Sequence, residues 1–72
     1  MSAMRTCLCK IFPTKDEATE EGMSWTRYRH SVRWGVKPVP GGFELLLNVE
    51  WDDDLLETLH GDGFRHCMCA DD

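Results

Sequence analysis

The stretch that decides the fold is "SWTRYRHSVRWGVKPVPGGFELLLNVEW", residues 24–51. Apolar and polar residues alternate along 25–36 and again along 43–51, which is the period of a half-buried β-strand. Between these halves lie two prolines and two glycines, a composition typical of a turn. The stretch therefore predicts a β-hairpin with one apolar face.

The register of this hairpin is left open by the pattern. Val36 can lie opposite Phe43, or a slip of two residues can set Arg33 opposite Glu44. Both registers keep the apolar face whole and bring unlike charges together across the strands. In either one, His30 lies on the apolar face of the first strand, where we expect a histidine with a hydrogen-bond partner rather than a ligand.

The pattern changes from strand to helix after Trp51. Leu55, Leu56 and Leu59 follow helical spacing behind a run of aspartates, which suits the start of a helix. This predicts a short helix near 53–60, with Gly61 placed to end it. We expect that its leucines pack on the apolar face of the hairpin, since a helix of about two turns is too short to be stable alone.

The remaining segments complete the predicted architecture. Residues 5–12 and 64–69 read as short strands, and the polar, acidic segment 13–24 reads as an exposed loop. The sequence thus predicts one small α+β domain over 1–72: an antiparallel or mixed sheet of about four strands in the order β-β-β-α-β, with one short helix on one face. Because 72 residues are close to the lower limit of unaided folding, a structural staple would help such a domain.

Four cysteines are the candidates for that staple, in two Cys-x-Cys pairs within the first and last predicted strands: Cys7, Cys9, Cys67 and Cys69. Strand alternation puts them on the sheet face opposite Leu8 and Phe12. If the two strands are neighbours, the four sulfurs could hold one tetrahedral structural zinc ion. Cross-strand disulfides and structurally inert, packed thiols are the alternatives, and the sequence does not choose among the three.

Charge and segment composition suggest where the protein works. The net charge of −5 disfavours non-specific binding to nucleic acid or to an anionic membrane. No apolar segment follows the N-terminal charge as it does in a signal peptide, and the longest aliphatic run is the three leucines at 45–47. We therefore expect a small, soluble, cytoplasmic protein without a membrane span.

Sequence motifs of enzymes are missing: there is no glycine-rich phosphate loop, no H-E-x-x-H and no G-x-S-x-G. We predict a protein without catalytic activity that acts by binding. One candidate surface is the polar face of the first hairpin strand, rich in residue types found at interface hot spots: Trp25, Arg27, Arg29 and Arg33. A second is a set of carboxylates that could imitate a phosphate array and engage a basic, nucleic-acid-binding protein: Asp16, Glu17, Glu20, Glu21, Asp52, Asp53 and Asp54.

Two classes of function are compatible with these features. The first is a small protein-binding module, such as the compact inhibitors and adaptors that phages and mobile elements encode, an analogy from size and charge. The second is a zinc-stabilised domain that contacts nucleic acid through an arginine-rich sheet face. Neither the partner nor the oligomeric state is predicted.

Overall fold

The computed structural model describes residues 4–66, which form four strands and two helices. The elements are β1 (Arg5–Phe12), α1 (Lys15–Tyr28), β2 (Arg33–Val39), β3 (Gly42–Glu50), α2 (Asp53–Gly61) and β4 (Arg65–His66). The sheet order is β2-β3-β1-β4, and all neighbouring strands are antiparallel. This is the split β-α-β arrangement of the ferredoxin-like topology. The α+β class and the antiparallel sheet of four strands are confirmed.

The predicted order β-β-β-α-β is wrong, because helix α1 lies where an acidic loop and the start of a strand were expected. Its N-cap is Thr14, whose hydroxyl accepts a hydrogen bond of 3.2 Å from the backbone N–H of Glu17. A threonine followed three residues later by a glutamate is the spacing of a capping box. The fold therefore contains two helices, and the predicted strand 25–36 is divided between the end of α1 and the start of β2.

The buried face of α1 consists of small residues, so the helix lies very close to the sheet. Ala18 and Gly22 are buried one turn apart. A Cβ atom built on Gly22 would lie 2.5 Å from ring atoms of Trp34 in β2, closer than real Cβ contacts allow. The indole ring therefore packs directly on the helix backbone.

The hairpin is present, but its register differs from both predicted ones. Val36 lies opposite Leu45 and Lys37 opposite Glu44. Pro40 and Gly41 alone make the turn, with Gly41 at φ 94° as position i+2 of a type II turn requires. Strand β2 continues through Pro38, a residue that a sheet tolerates on an edge strand.

The core lies between the helices and one face of the sheet. Its largest fully buried side chains come from β1, β3 and α2: Leu8, Leu45, Leu47, Val49 and Leu59. Leu55 and Leu56 are buried as well, which confirms the predicted packing of α2.

Helix α2 ends in a Schellman motif. The backbone N–H of Phe64 donates to the carbonyl of Leu59 at 3.0 Å, and the backbone N–H of Gly63 donates to the carbonyl of His60 at 3.1 Å. Gly63, at φ 100°, is the left-handed residue of this motif, whereas Gly61 is the last residue of the helix. The motif turns the chain back so that Phe64 enters the core, 2% exposed.

Strand β4 pairs with the outer edge of β1, where His66 lies opposite Leu8 and Arg65 opposite Cys9. Residues 67–69 of the predicted strand 64–69 lie outside the described residues. Within the part of the chain that the structure describes, no helix is long and apolar enough to cross a membrane.

Candidate functional site: a groove along α1

The predicted basic surface does not exist as one face. Trp25 and Arg27 belong to α1, Arg29 caps the C-terminal end of that helix, and Arg33 begins β2. Trp25 is half-buried and packs against the core. The apparent alternation along 25–36 runs from the last turn of α1 into β2, so these four residues do not share one strand face.

Arg29 connects the two helices. Its guanidinium donates a hydrogen bond of 3.0 Å to the carboxylate of Asp52, the N-cap residue of α2. The pKa of Asp52 is lowered, chiefly because its carboxylate accepts a hydrogen bond from the backbone N–H of Leu55 and then because of Arg29. The pKa of Arg29 is raised, with the hydrogen bond to Asp52 as the main cause. Arg29 therefore has a structural partner.

Two adjoining clefts follow the exposed side of α1. One, of about 360 Å³, is lined by Glu21, Ser24, Trp25, Tyr28 and Thr58, the last of which belongs to α2. The other, of about 410 Å³, is lined by Phe12, Glu17, Glu20, Glu21 and Ser24. Because they share Glu21 and Ser24, we treat them as one surface and call it the α1 groove.

One end of the α1 groove is acidic. Glu17 and Glu20 are exposed and Glu21 is half-buried on the N-terminal half of α1. Asp16 is exposed in the same first turn. These carboxylates were predicted on a loop, but on successive helical turns they lie along one element and their spacing is fixed.

The second acidic group lies elsewhere. Asp52 caps α2, with Asp53 and Asp54 in the first turn of that helix. The Arg29–Asp52 pair places this group beside the C-terminal end of α1. At 1.5 Å per residue, that end is about 20 Å from the first turn of α1. The seven predicted carboxylates are thus two separate groups, and the structure does not join them into a single array.

The other end of the α1 groove is aromatic. The Trp25 indole donates a hydrogen bond of 2.9 Å from Nε1 to the Glu21 carboxylate. The ring centroids of Trp25 and Tyr28 are 5.6 Å apart at 80°, an edge-to-face arrangement. Tyr28 is 63% exposed. The sequence reasoning singled out Trp25 but missed Tyr28, and the helical spacing of Ala18, Gly22 and Trp25 was the signal that could have placed both on a helix.

The sheet face that points away from the helices, which we call the open face, was the predicted nucleic-acid surface. Two of its cations have neighbours of opposite charge: Lys37 lies 3.7 Å from Glu44, and Arg5 lies 3.8 Å from Glu50. Arg33, opposite Asn48, lies on the same face. The aromatic rings of strands β1 to β3 pack against the core on the other face: Phe12, Trp34 and Phe43. Within residues 4–66 these three strands offer no aromatic platform on the open face for stacking bases.

Cys7 and Cys9 lie on the open face, opposite the core as predicted. They pair with Asn48 and Leu46 of β3, and Cys9 is 5% exposed. Cys67 and Cys69 are outside the described residues. Among residues 4–66, no three histidine, cysteine, aspartate or glutamate side chains are grouped so as to hold a metal ion. The site of four thiols remains a prediction.

His30 is not on the apolar face of a strand. It is exposed in the turn between α1 and β2, where the N–H of Val32 donates to the carbonyl of Arg29 at 3.2 Å. His30 was misplaced because a strand was predicted over 25–36, and the same prediction produced the basic surface.

Comparison with family models, curated proteins and solved structures finds no match for this chain. The topology itself serves many unrelated functions. Inferences about function therefore rest on the geometry of the α1 groove and on the charges around it.

Proposed function

We propose that this protein is a binding module without catalytic activity, and that it holds a basic segment of a partner protein in the α1 groove. The observation that carries the proposal is that the groove is continuous. Glu21 and Ser24 line both its acidic end and its aromatic end. Lysine and arginine side chains match such a surface, since their apolar stems pack on aromatic rings while their charges reach carboxylates.

The protein itself contains an example of this contact. The Arg29 guanidinium lies over the ring of Tyr28, 5.5 Å from its centroid, and also binds Asp52. The same combination of ring and carboxylate recurs along the groove, where Glu21 binds the edge of Trp25. The net charge of −5 adds a long-range attraction that increases the association rate with a basic partner.

The basic character of the bound segment indicates how binding would affect the partner protein. Basic segments on protein surfaces commonly bind phosphates of nucleic acid. A module that covers such a segment would act as an inhibitor or adaptor, which is the first of the two function classes.

The test uses a fluorescently labelled peptide of alternating arginine and serine, with a glutamate–serine peptide of equal length as control. We expect the arginine peptide alone to bind in an anisotropy titration. The double variant Glu17→Lys/Glu20→Lys should weaken that binding about tenfold or more, since two attractive contacts become repulsive.

The matched control is Glu57→Lys/Asp62→Lys, which changes the net charge equally at exposed residues that do not line the groove. Binding should survive in this variant. Equal losses in both double variants would mean that only net charge matters, and they would reject the groove as the site. A single-stranded oligonucleotide that binds at low salt and dissociates as salt rises would favour the nucleic-acid class instead.

A further inference from the structure

Two exposed histidines meet where the end of α2 approaches β4. His60 lies in the last turn of α2, and His66 lies in β4 opposite Leu8. The Schellman motif between them reverses the chain, so that their ring centroids are 5.1 Å apart with 66° between the ring planes. No requirement of the core explains this contact, since both side chains are exposed.

The separation of the rings is compatible with a metal ion shared between them. A metal–nitrogen bond is about 2.0–2.1 Å long and the ring centre lies about 1.1 Å further on, so two imidazoles on one ion have centroids about 4.5 Å apart at a ligand angle of 90° and about 5 Å apart at the tetrahedral angle. The observed 5.1 Å is close to the tetrahedral value, and a small side-chain rotation would bring the rings to the shorter one.

The ring of His66 is also held by two neighbouring side chains. Its Nδ1 lies 3.2 Å from the hydroxyl oxygen of Thr6. A neutral imidazole that donates from Nδ1 to this hydroxyl keeps the lone pair of Nε2 for a metal. The ring is stacked on Trp51, with centroids 6.3 Å apart and planes at 20°. Trp51 is held in turn by a hydrogen bond of 3.1 Å from its Nε1 to Asp53.

We propose that His60 and His66 bind one divalent transition-metal ion of the kind that prefers imidazole, such as Ni²⁺, Cu²⁺ or Zn²⁺, with water completing its coordination. Thr6 and Trp51 are positioning residues that hold the His66 ring. The site is separate from the α1 groove, and it requires none of the four cysteines.

The first experiment titrates tag-free protein with Ni²⁺ in a calorimeter. We expect one ion per chain, loss of binding in His60→Gln and in His66→Gln, and unchanged binding in His30→Gln. The third histidine is a matched control because it is exposed and lies in the distant turn after α1. Thr6→Val should weaken binding about tenfold, the usual effect of removing a group that orients a ligating histidine. Circular dichroism checks that each variant is folded.

The second experiment locates the ion. A paramagnetic ion beside His66 should quench the fluorescence of Trp51, and Trp51→Phe should remove that quenching while the other two tryptophans continue to emit. Absence of Ni²⁺ binding would overturn the proposal. So would equal loss of affinity in His30→Gln, or a thiolate-to-metal absorption band, which would assign the ion to the cysteines.

Discussion

At the scale of single residues, Gly22 determines how closely α1 approaches the sheet. Any side chain there would meet the Trp34 ring, whose Cδ2 and Cε3 atoms would lie 2.5 Å from the new Cβ. Trp34 is partly buried against the core, so moving its rigid indole away from the helix would disturb that packing. The absence of a side chain at Gly22 is therefore part of the packing.

We expect Gly22→Ala to destabilise the protein by up to about 2 kcal/mol. Overpacking costs about 1–3 kcal/mol, and the better helix propensity of alanine returns only about 1 kcal/mol. Midpoints of urea unfolding measure the difference.

Gly35→Ala is the matched control, because no atom lies within 4 Å of a Cβ at that position of β2. It should leave stability unchanged or raise it by about 0.5–1 kcal/mol, since alanine loses less conformational freedom on folding. If both substitutions have the same effect, the contact between Gly22 and Trp34 is not tight in solution.

At the scale of elements, the end of α2 depends on one backbone conformation. Gly63 has φ 100°, a region that costs residues with a side chain about 1–2 kcal/mol. The turn it makes brings Phe64 into the core and His66 beside His60.

We expect Gly63→Ala to lower stability by about 1 kcal/mol, whereas Gly61→Ala should raise it by about 0.5–1 kcal/mol. Gly61 is the last residue of α2 and has open space around it, so alanine there only improves helix propensity. Thermal and urea unfolding of the two variants give the comparison. Similar losses in both would contradict the assignment of Gly63 as the left-handed residue.

Elements with large, regularly spaced apolar residues were predictable. The leucines of α2 and the alternation in β3 predicted both elements to within about one residue of each end. Helix α1 was missed because its buried face consists of Ala18 and Gly22, which carry little hydrophobic signal, while arginines at 27, 29 and 33 imitated strand alternation. The register was wrong because a turn of two residues replaced the expected longer one.

The α1 groove could be predicted only in part. Its glutamates and Trp25 were proposed from the sequence as candidate binding residues, but they were assigned to a loop and to a strand. Thr58 joins them only because α2 packs beside α1, a tertiary contact that no local pattern encodes.

At the scale of the whole molecule, one ion pair connects two elements that are distant in the sequence. Arg29 follows α1 and Asp52 precedes α2, and their side chains meet at 3.0 Å. Asp52 also caps α2 through the N–H of Leu55 at 3.1 Å. The lowered pKa of Asp52 means that the folded state favours its charged form.

Asp52→Asn tests this link through its pH dependence. Asparagine is still an N-cap residue but carries no charge. The stabilisation by the Asp52 charge is fully present above the ordinary pKa of aspartate and is lost as the pH falls through the lowered one. We therefore expect the variant to be less stable than the wild type at neutral pH, and the difference to disappear in strong acid.

Urea midpoints measured from neutral to strongly acidic pH follow that difference. In an Arg29→Gln background the same substitution should cost less, because one of the two partners of Asp52 is already gone. A difference that stays constant with pH would contradict the role of the charge.

The position of Pro38 in the edge strand β2 has a consequence for how the molecules behave at high concentration. An exposed edge strand is a template on which a strand of another molecule can add, and such additions begin aggregates. Proline cannot donate a backbone hydrogen bond, so an incoming strand would lack one donor on this edge, beside the charge of Lys37. The hairpin that completes the core thus also protects its own edge against fibril growth.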